Sequence, residues 1–207
     1  MSVQNYINII VTKRTGSVWV ASLIREWCPN VEVVRFENAY PQDCYPFGTI
    51  VLQTRDLLNW YASYFTSVKG KTSSNVIHSW WEIAKEFYTP TYLTKRKVIR
   101  VLYDAFFENR IYREDVCTQL NGTYSENRLQ DVVDAGGGSS FTNTSMHKQA
   151  QLMPVLKRYK MVDPDIYIQL FASNTKLLQF YTENMMNVET EKFLVSIGVL
   201  KEKTARG

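Results

Sequence analysis

Four short stretches of apolar, largely β-branched residues recur along the first half of the chain: Asn8–Val11 (extended at its start by Tyr6 and Ile7), Val31–Phe36, Thr49–Thr54 and Val98–Tyr103. The first is followed by Thr12-Lys13-Arg14-Thr15-Gly16-Ser17. From Val18 to Trp27, the residues Val20, Leu23, Ile24 and Trp27 recur at helical spacing, so this segment predicts strand, tight loop, helix. Cys28-Pro29-Asn30 ends that helix. A second helix is expected from about Asp56 to Val68, with Leu57, Leu58, Tyr61, Tyr64 and Phe65 on one side. After the polar break Lys69–Ser74 a third runs over Val76–Tyr88. Beyond the fourth strand the chain reads as mainly helical, with two or three amphipathic helices at its end. The exception is a loop, Asp134–Ser145, with three consecutive glycines.

Continuous apolar strands that alternate with helices call for parallel pairing with both sheet faces covered. The expected fold is therefore α/β: three layers, a central, mostly parallel sheet and a helical C-terminal part. A length of 207 residues suits one domain, read here as an α/β core over 1–145 and a helical extension over 146–207. Sheets of this kind bind ligands outside the carboxyl ends of their strands. Chemistry is thus to be sought just after Val11, Phe36, Thr54 and Tyr103.

Composition narrows the function classes. Hydrophobic residues at 45% and charged residues at 21% exclude disorder as the dominant state. No apolar stretch reaches the length of a membrane span, and the N-terminus has no signal-like pattern, so a cytoplasmic protein is expected. Cys28, Cys44 and Cys117 have no metal-ligand spacing. The net charge of +4 fits an anion-attracting pocket as well as an ordinary surface. Basic residues are too dispersed for a nucleic-acid partner.

Lys13-Arg14-Thr15-Gly16-Ser17-Val18-Trp19 carries the first candidate chemistry. A glycine turn at the mouth of a helix offers backbone N–H groups and the positive end of the helix dipole to an anion. Arg14 adds a cationic fork and Ser17 a hydroxyl; the plain alternative is a βα connection capped by Ser17. A Walker A loop is excluded, because neither its early glycine nor a lysine after Gly16 is present. The second candidate is Arg55 at a strand end, with Ser63 eight residues on in the following helix. The two could grip one phosphate from two sides. Alternatively Arg55 pairs locally with Asp56, and Ser63 is an ordinary helix residue.

Taken together, these segments resemble the sulfotransferases that use 3'-phosphoadenosine 5'-phosphosulfate (PAPS). Their first loop reads approximately P-[KR]-[ST]-G-T-[ST]-W, matched in frame by Lys13–Trp19. Their second signature, an arginine at a strand end with a serine eight residues later, is matched by Arg55 to Ser63, followed by Tyr64-Phe65. Val101-Leu102-Tyr103-Asp104 matches a later strand, and Ala135–Asn143 occupies the place of a C-terminal glycine loop.

The resemblance implies that Arg14, Thr15, Gly16, Ser17 and Val18 cradle the 5'-phosphosulfate, with Arg14 also stabilising charge on the leaving oxygen. Trp19 would stack on the adenine and Tyr103 would lie near it. Arg55 and Ser63, with Gly136 and Gly137, would hold the 3'-phosphate. The chain departs from the family in Val18, where a hydroxyl is usual, in Asp134 before the glycine loop, and in its short length.

Transfer of a sulfuryl group needs a base near the nucleophile and positive charge on the leaving phosphate; no metal is expected. Glu37, straight after the second strand, matches the position of the carboxylate base in some family members. His147 is the fallback, and His78 is read as a packing residue beside Trp80-Trp81. Tyr40, Tyr45, Phe47, Trp60, Trp80 and Trp81 either line an acceptor pocket or belong to the core. The expected activity is sulfuryl transfer from PAPS to a hydroxyl or amine of a small-molecule or carbohydrate acceptor, leaving 3'-phosphoadenosine 5'-phosphate. The rivals are a noncatalytic nucleotide- or anion-binding relative and, with less support, a small-molecule kinase. The C-terminal helices either cover the sheet or form a homodimer contact.

Overall fold

Strands β1 (Tyr6–Val11), β2 (Glu32–Glu37), β3 (Thr49–Thr54) and β4 (Val98–Leu102) form one sheet in the order β2-β1-β3-β4. Every pairing is parallel, with Val11 opposite Glu37 and Gln53, and Thr54 opposite Leu102. The computed structural model describes residues 6–39, 47–93, 95–131 and 153–202. Gly136, Gly137, His147, Tyr40 and Tyr45 lie outside them.

Alternate residues of the strands face opposite layers, as the pleat requires. Ile7, Ile9, Val11, Val51, Ile99 and Val101 pack with α1 (Ser17–Trp27), α4 (Tyr103–Glu108) and α5 (Arg110–Gln119). Ile10, Ile50 and Leu52 pack with Ile83 of α3 (Ser74–Tyr88). The result is the expected three-layer α/β arrangement. A further apolar cluster joins α2 (Leu57–Ser67) to the C-terminal helices α6 (Asp165–Ser173), α7 (Thr175–Asn184) and α8 (Val188–Ser196). Among the described residues no helix is long and apolar enough to cross a membrane.

One side chain engages two backbone groups of β4, the edge strand. The Tyr112 hydroxyl accepts from Leu102 N at 3.1 Å and donates to Arg100 O at 2.9 Å, filling groups that an edge strand otherwise exposes.

Three local differences from the sequence reading stand out. Tyr103 opens α4 instead of ending β4, and Glu37 is the last residue of β2. His78 is exposed, because the buried stripe of α3 runs through Trp80, Ile83 and Ala84.

From β1 the chain goes to one neighbour, β2, through α1, and then crosses to the other neighbour, β3. Connections that diverge in this way open a crevice at the carboxyl ends of the central strands. The β1–α1 loop and the end of β3 both stand there.

Candidate functional site

The loop from Thr12 to Gly16 is held by its carbonyls. Thr15 Oγ1 donates to Thr12 O at 2.8 Å, and Trp60 Nε1 donates to Lys13 O at 2.8 Å. Arg55 Nη1 donates to Arg14 O at 3.2 Å, and Gln53 Nε2 to Thr15 O at 2.7 Å. Four successive carbonyls are thus engaged by the loop itself, by β3 and by α2. Asn38, the residue after β2, adopts φ 55°, and its side chain accepts from Lys13 N at 3.1 Å. Arg14 and Gly16 are left-handed, at φ 69° and 78°. Gly16 caps α1 and has no side chain with which to accept from its first-turn N–H groups. The first turn of α1 therefore presents backbone N–H groups of the kind that bind anions.

Tyr103 ties this loop to the end of β3. Its ring lies where a Gly16 side chain would be: a Cβ there would sit 2.1 Å from Tyr103 Cε2. The Arg55 guanidinium lies over the same ring, 4.9 Å from its centroid. Burial raises the Tyr103 hydroxyl's pKa, against the opposing influence of Arg55 and Arg158.

Arg55 is 1% exposed. Besides the Arg14 carbonyl it donates through Nη2 to Val155 O, and its Nε lies 3.9 Å from Asp104 Oδ1. Asp104 Oδ2 accepts from Asp56 N at 2.7 Å, while Asp56 accepts from Asn59 N and from the Tyr181 hydroxyl. Burial, then the Asp104 charge, push the Asp56 carboxyl up to about 6. Burial also raises Asp104, against the pull of Arg55.

Ser63 is buried in α2 and its hydroxyl accepts from Arg158 Nη1 at 2.9 Å. Arg158 comes from a 3-10 turn, Arg158–Lys160, far along the chain. Burial, then the charges of Arg55 and Arg14, push its pKa down to about 9, which still leaves it cationic at neutral pH. Arg158 therefore feels the charges of Arg14 and Arg55 at the carboxyl edge of β1 and β3.

At the β2 side, Arg35 Nη1 donates to Ser17 Oγ at 2.9 Å and to Glu37 Oε1 at 2.9 Å. Glu37 is exposed and stands beside the loop, two residues beyond Arg35 on the same side of the strand.

Of the residues singled out from the sequence, Arg14, Thr15, Gly16, Ser17, Glu37, Arg55 and Tyr103 meet in this region. Val18 is partly exposed on α1. Trp19 is buried: its Nε1 donates to Leu129 O at 3.2 Å, and its ring packs against Tyr103, Phe106 and Phe107. Trp60 and Trp80 are fully buried and stacked on each other, so they belong to the core and not to a pocket wall. Arg35, Asn38 and Arg158 were missed. The alternation of Arg35 with Glu37 along β2 was a usable signal. For Arg158 there was only a basic run, Lys157-Arg158-Tyr159-Lys160, in a segment read as plain helix.

Comparison of the chain with protein-family models, with curated proteins and with solved structures found no match.

Proposed function

We propose that this protein is a sulfotransferase that moves a sulfuryl group from PAPS to a hydroxyl or amine acceptor. The observation that carries the reading is the meeting of the two basic segments. Arg55 donates to the carbonyl of Arg14, and Arg158, which donates to Ser63, feels the charges of both. Three guanidinium groups beside a helix N-terminus suit a ligand with more than one phosphate.

In this reading the acceptor oxygen or nitrogen forms a bond to sulfur while the bond from sulfur to the bridging oxygen breaks. The bridging oxygen leaves on the 5'-phosphate with its electron pair. Arg14 and the first-turn N–H groups of α1 take up that developing charge. Glu37 receives the acceptor's proton. The donor chemistry needs no Walker lysine, in keeping with the residues after Gly16.

One observation favours a second reading, a noncatalytic anion-binding relative. Arg55 is almost fully enclosed, with both terminal nitrogens on backbone carbonyls. It reaches a phosphate only if the chain around Val155 moves.

Thermal-shift titration separates these readings. The bisphosphate product 3'-phosphoadenosine 5'-phosphate should raise the melting temperature more than adenosine 5'-phosphate, and ATP with Mg²⁺ should not surpass it. Release of sulfate from labelled PAPS then distinguishes enzyme from binder. A bisphosphate that leaves the melting temperature unchanged refutes both.

A further inference from the structure

We propose that Arg35 is a positioning residue that ties the anion grip of the β1–α1 loop to Glu37, acting through the Ser17 hydroxyl; the inference rests on reading that loop as a donor site. Arg35 lies in β2 opposite Ile9 of β1. A single nitrogen, Nη1, donates both to Ser17 Oγ and to Glu37 Oε1 at 2.9 Å. Ser17 is the first residue of α1 and is 4% exposed.

A serine hydroxyl has one proton to give and two lone pairs to offer. With one lone pair fixed by a guanidinium, the proton is turned away from Arg35. The cation also polarises the hydroxyl and makes it the stronger donor. An anion drawn to the N-terminus of α1 then meets a hydroxyl already oriented. At its other end the same nitrogen holds the Glu37 carboxylate beside the loop. Arg35 thus orders a donor and a base while touching neither substrate.

The consequence is specific. If Arg35 works through Ser17, removing both residues costs donor affinity no more than removing Ser17 alone. A direct contact to the anion, or a long-range field, instead gives losses that multiply. The Arg35 side chain is 27% exposed, so Arg35→Met is compatible with folding, which a melting curve checks.

The experiment is calorimetric titration of 3'-phosphoadenosine 5'-phosphate into wild type, Ser17→Ala, Arg35→Met and the double variant, at constant salt. Ser17→Ala should bind roughly tenfold more weakly, the scale of a hydrogen bond to a charged group. Arg35→Met should lose about three- to tenfold, and the double variant should match Ser17→Ala within about twofold. Losses that multiply, or an Arg35→Met that binds like wild type, overturn the role of Arg35 while leaving the donor reading intact. A wild type that does not bind the bisphosphate overturns the donor reading, and this inference with it.

Discussion

Replacing Gly16 with alanine tests the geometry at the heart of the site without assuming any reaction. Two costs add. The backbone at Gly16 has φ 78°, where a residue with a Cβ loses about 1–2 kcal/mol. The new methyl would also stand 2.1 Å from Tyr103 Cε2, 2.6 Å from Cζ and 2.7 Å from Cδ2. That ring has little room to yield. It is 4% exposed, lies under Arg55 at 4.9 Å, and has Trp19 and Phe107 at centroid distances of 6.1 and 5.9 Å. Overpacking of this kind costs about 1–3 kcal/mol, so Gly16→Ala should destabilise by roughly 2–5 kcal/mol in all.

Urea unfolding measures the loss, and a second background isolates its cause. In Tyr103→Leu the ring is gone, and Gly16→Ala should there cost only the backbone part, about 1–2 kcal/mol. The two substitutions should therefore couple by at least about 1 kcal/mol. A Gly16→Ala penalty under about 1 kcal/mol, or one equal in both backgrounds, would refute the packing of loop against ring.

Asp56 and Glu86 give opposite dependences on pH. Burial and the Asp104 charge hold Asp56 near 6, so between about pH 4 and 6 the folded state binds more protons than the unfolded chain, and stability is lost as pH rises through that window. Asp56→Asn should remove this loss; its stability relative to wild type, followed by urea unfolding, should climb by up to about 3 kcal/mol from pH 4 to 7, and a flat difference contradicts the assignment. Glu86, 2% exposed, accepts the N–H groups of Thr91, Tyr92 and Leu93 and the Thr91 hydroxyl. Burial alone would raise its pKa, but these bonds together lower it. Its contribution is present above the ordinary glutamate range and lost on acidification, and Glu86→Ala should cost about 2–5 kcal/mol at pH 7. A loss below about 1 kcal/mol would show that the α3–β4 connection holds itself.

Strands β1 and β3 were legible because a parallel strand buried on both faces leaves a near-continuous apolar run, and the bounds Thr49–Thr54 match β3 to the residue. The starts of α1, α2 and α3 were legible within a residue or two; those of the later helices were not. Tyr103 was misplaced because a strand end and a helix start share its neighbours, and only the hydrogen bonds of α4 decide between them. The aromatic stripe of α2 and α3 could be core or pocket on periodicity alone. The stack of Trp60 on Trp80 settles that in favour of core. Arg14 and Arg55 could be paired from their positions at strand ends. Arg158 could not, since its partner Ser63 is 95 residues away and no local pattern reports so distant a contact.

On the proposed reading, the arrangement of these arginines also joins stability to function. Arg158 is depressed to about 9 because burial and two neighbouring cations disfavour its charge, a standing cost to the folded state at neutral pH. Asp104 lies 3.9 Å from Arg55, and its own carboxyl is raised by burial. The backbone carbonyls of Arg14 and Val155 supply the remaining acceptors for Arg55. Neutral dipoles can satisfy guanidinium donors, yet they do not cancel net charge. A bound anion, as in the proposed function, would offset charge that such dipoles leave uncompensated. On the reading proposed above, part of the cost of burying Arg158 would be recovered on binding, and a ligand carrying several negative charges would recover the most.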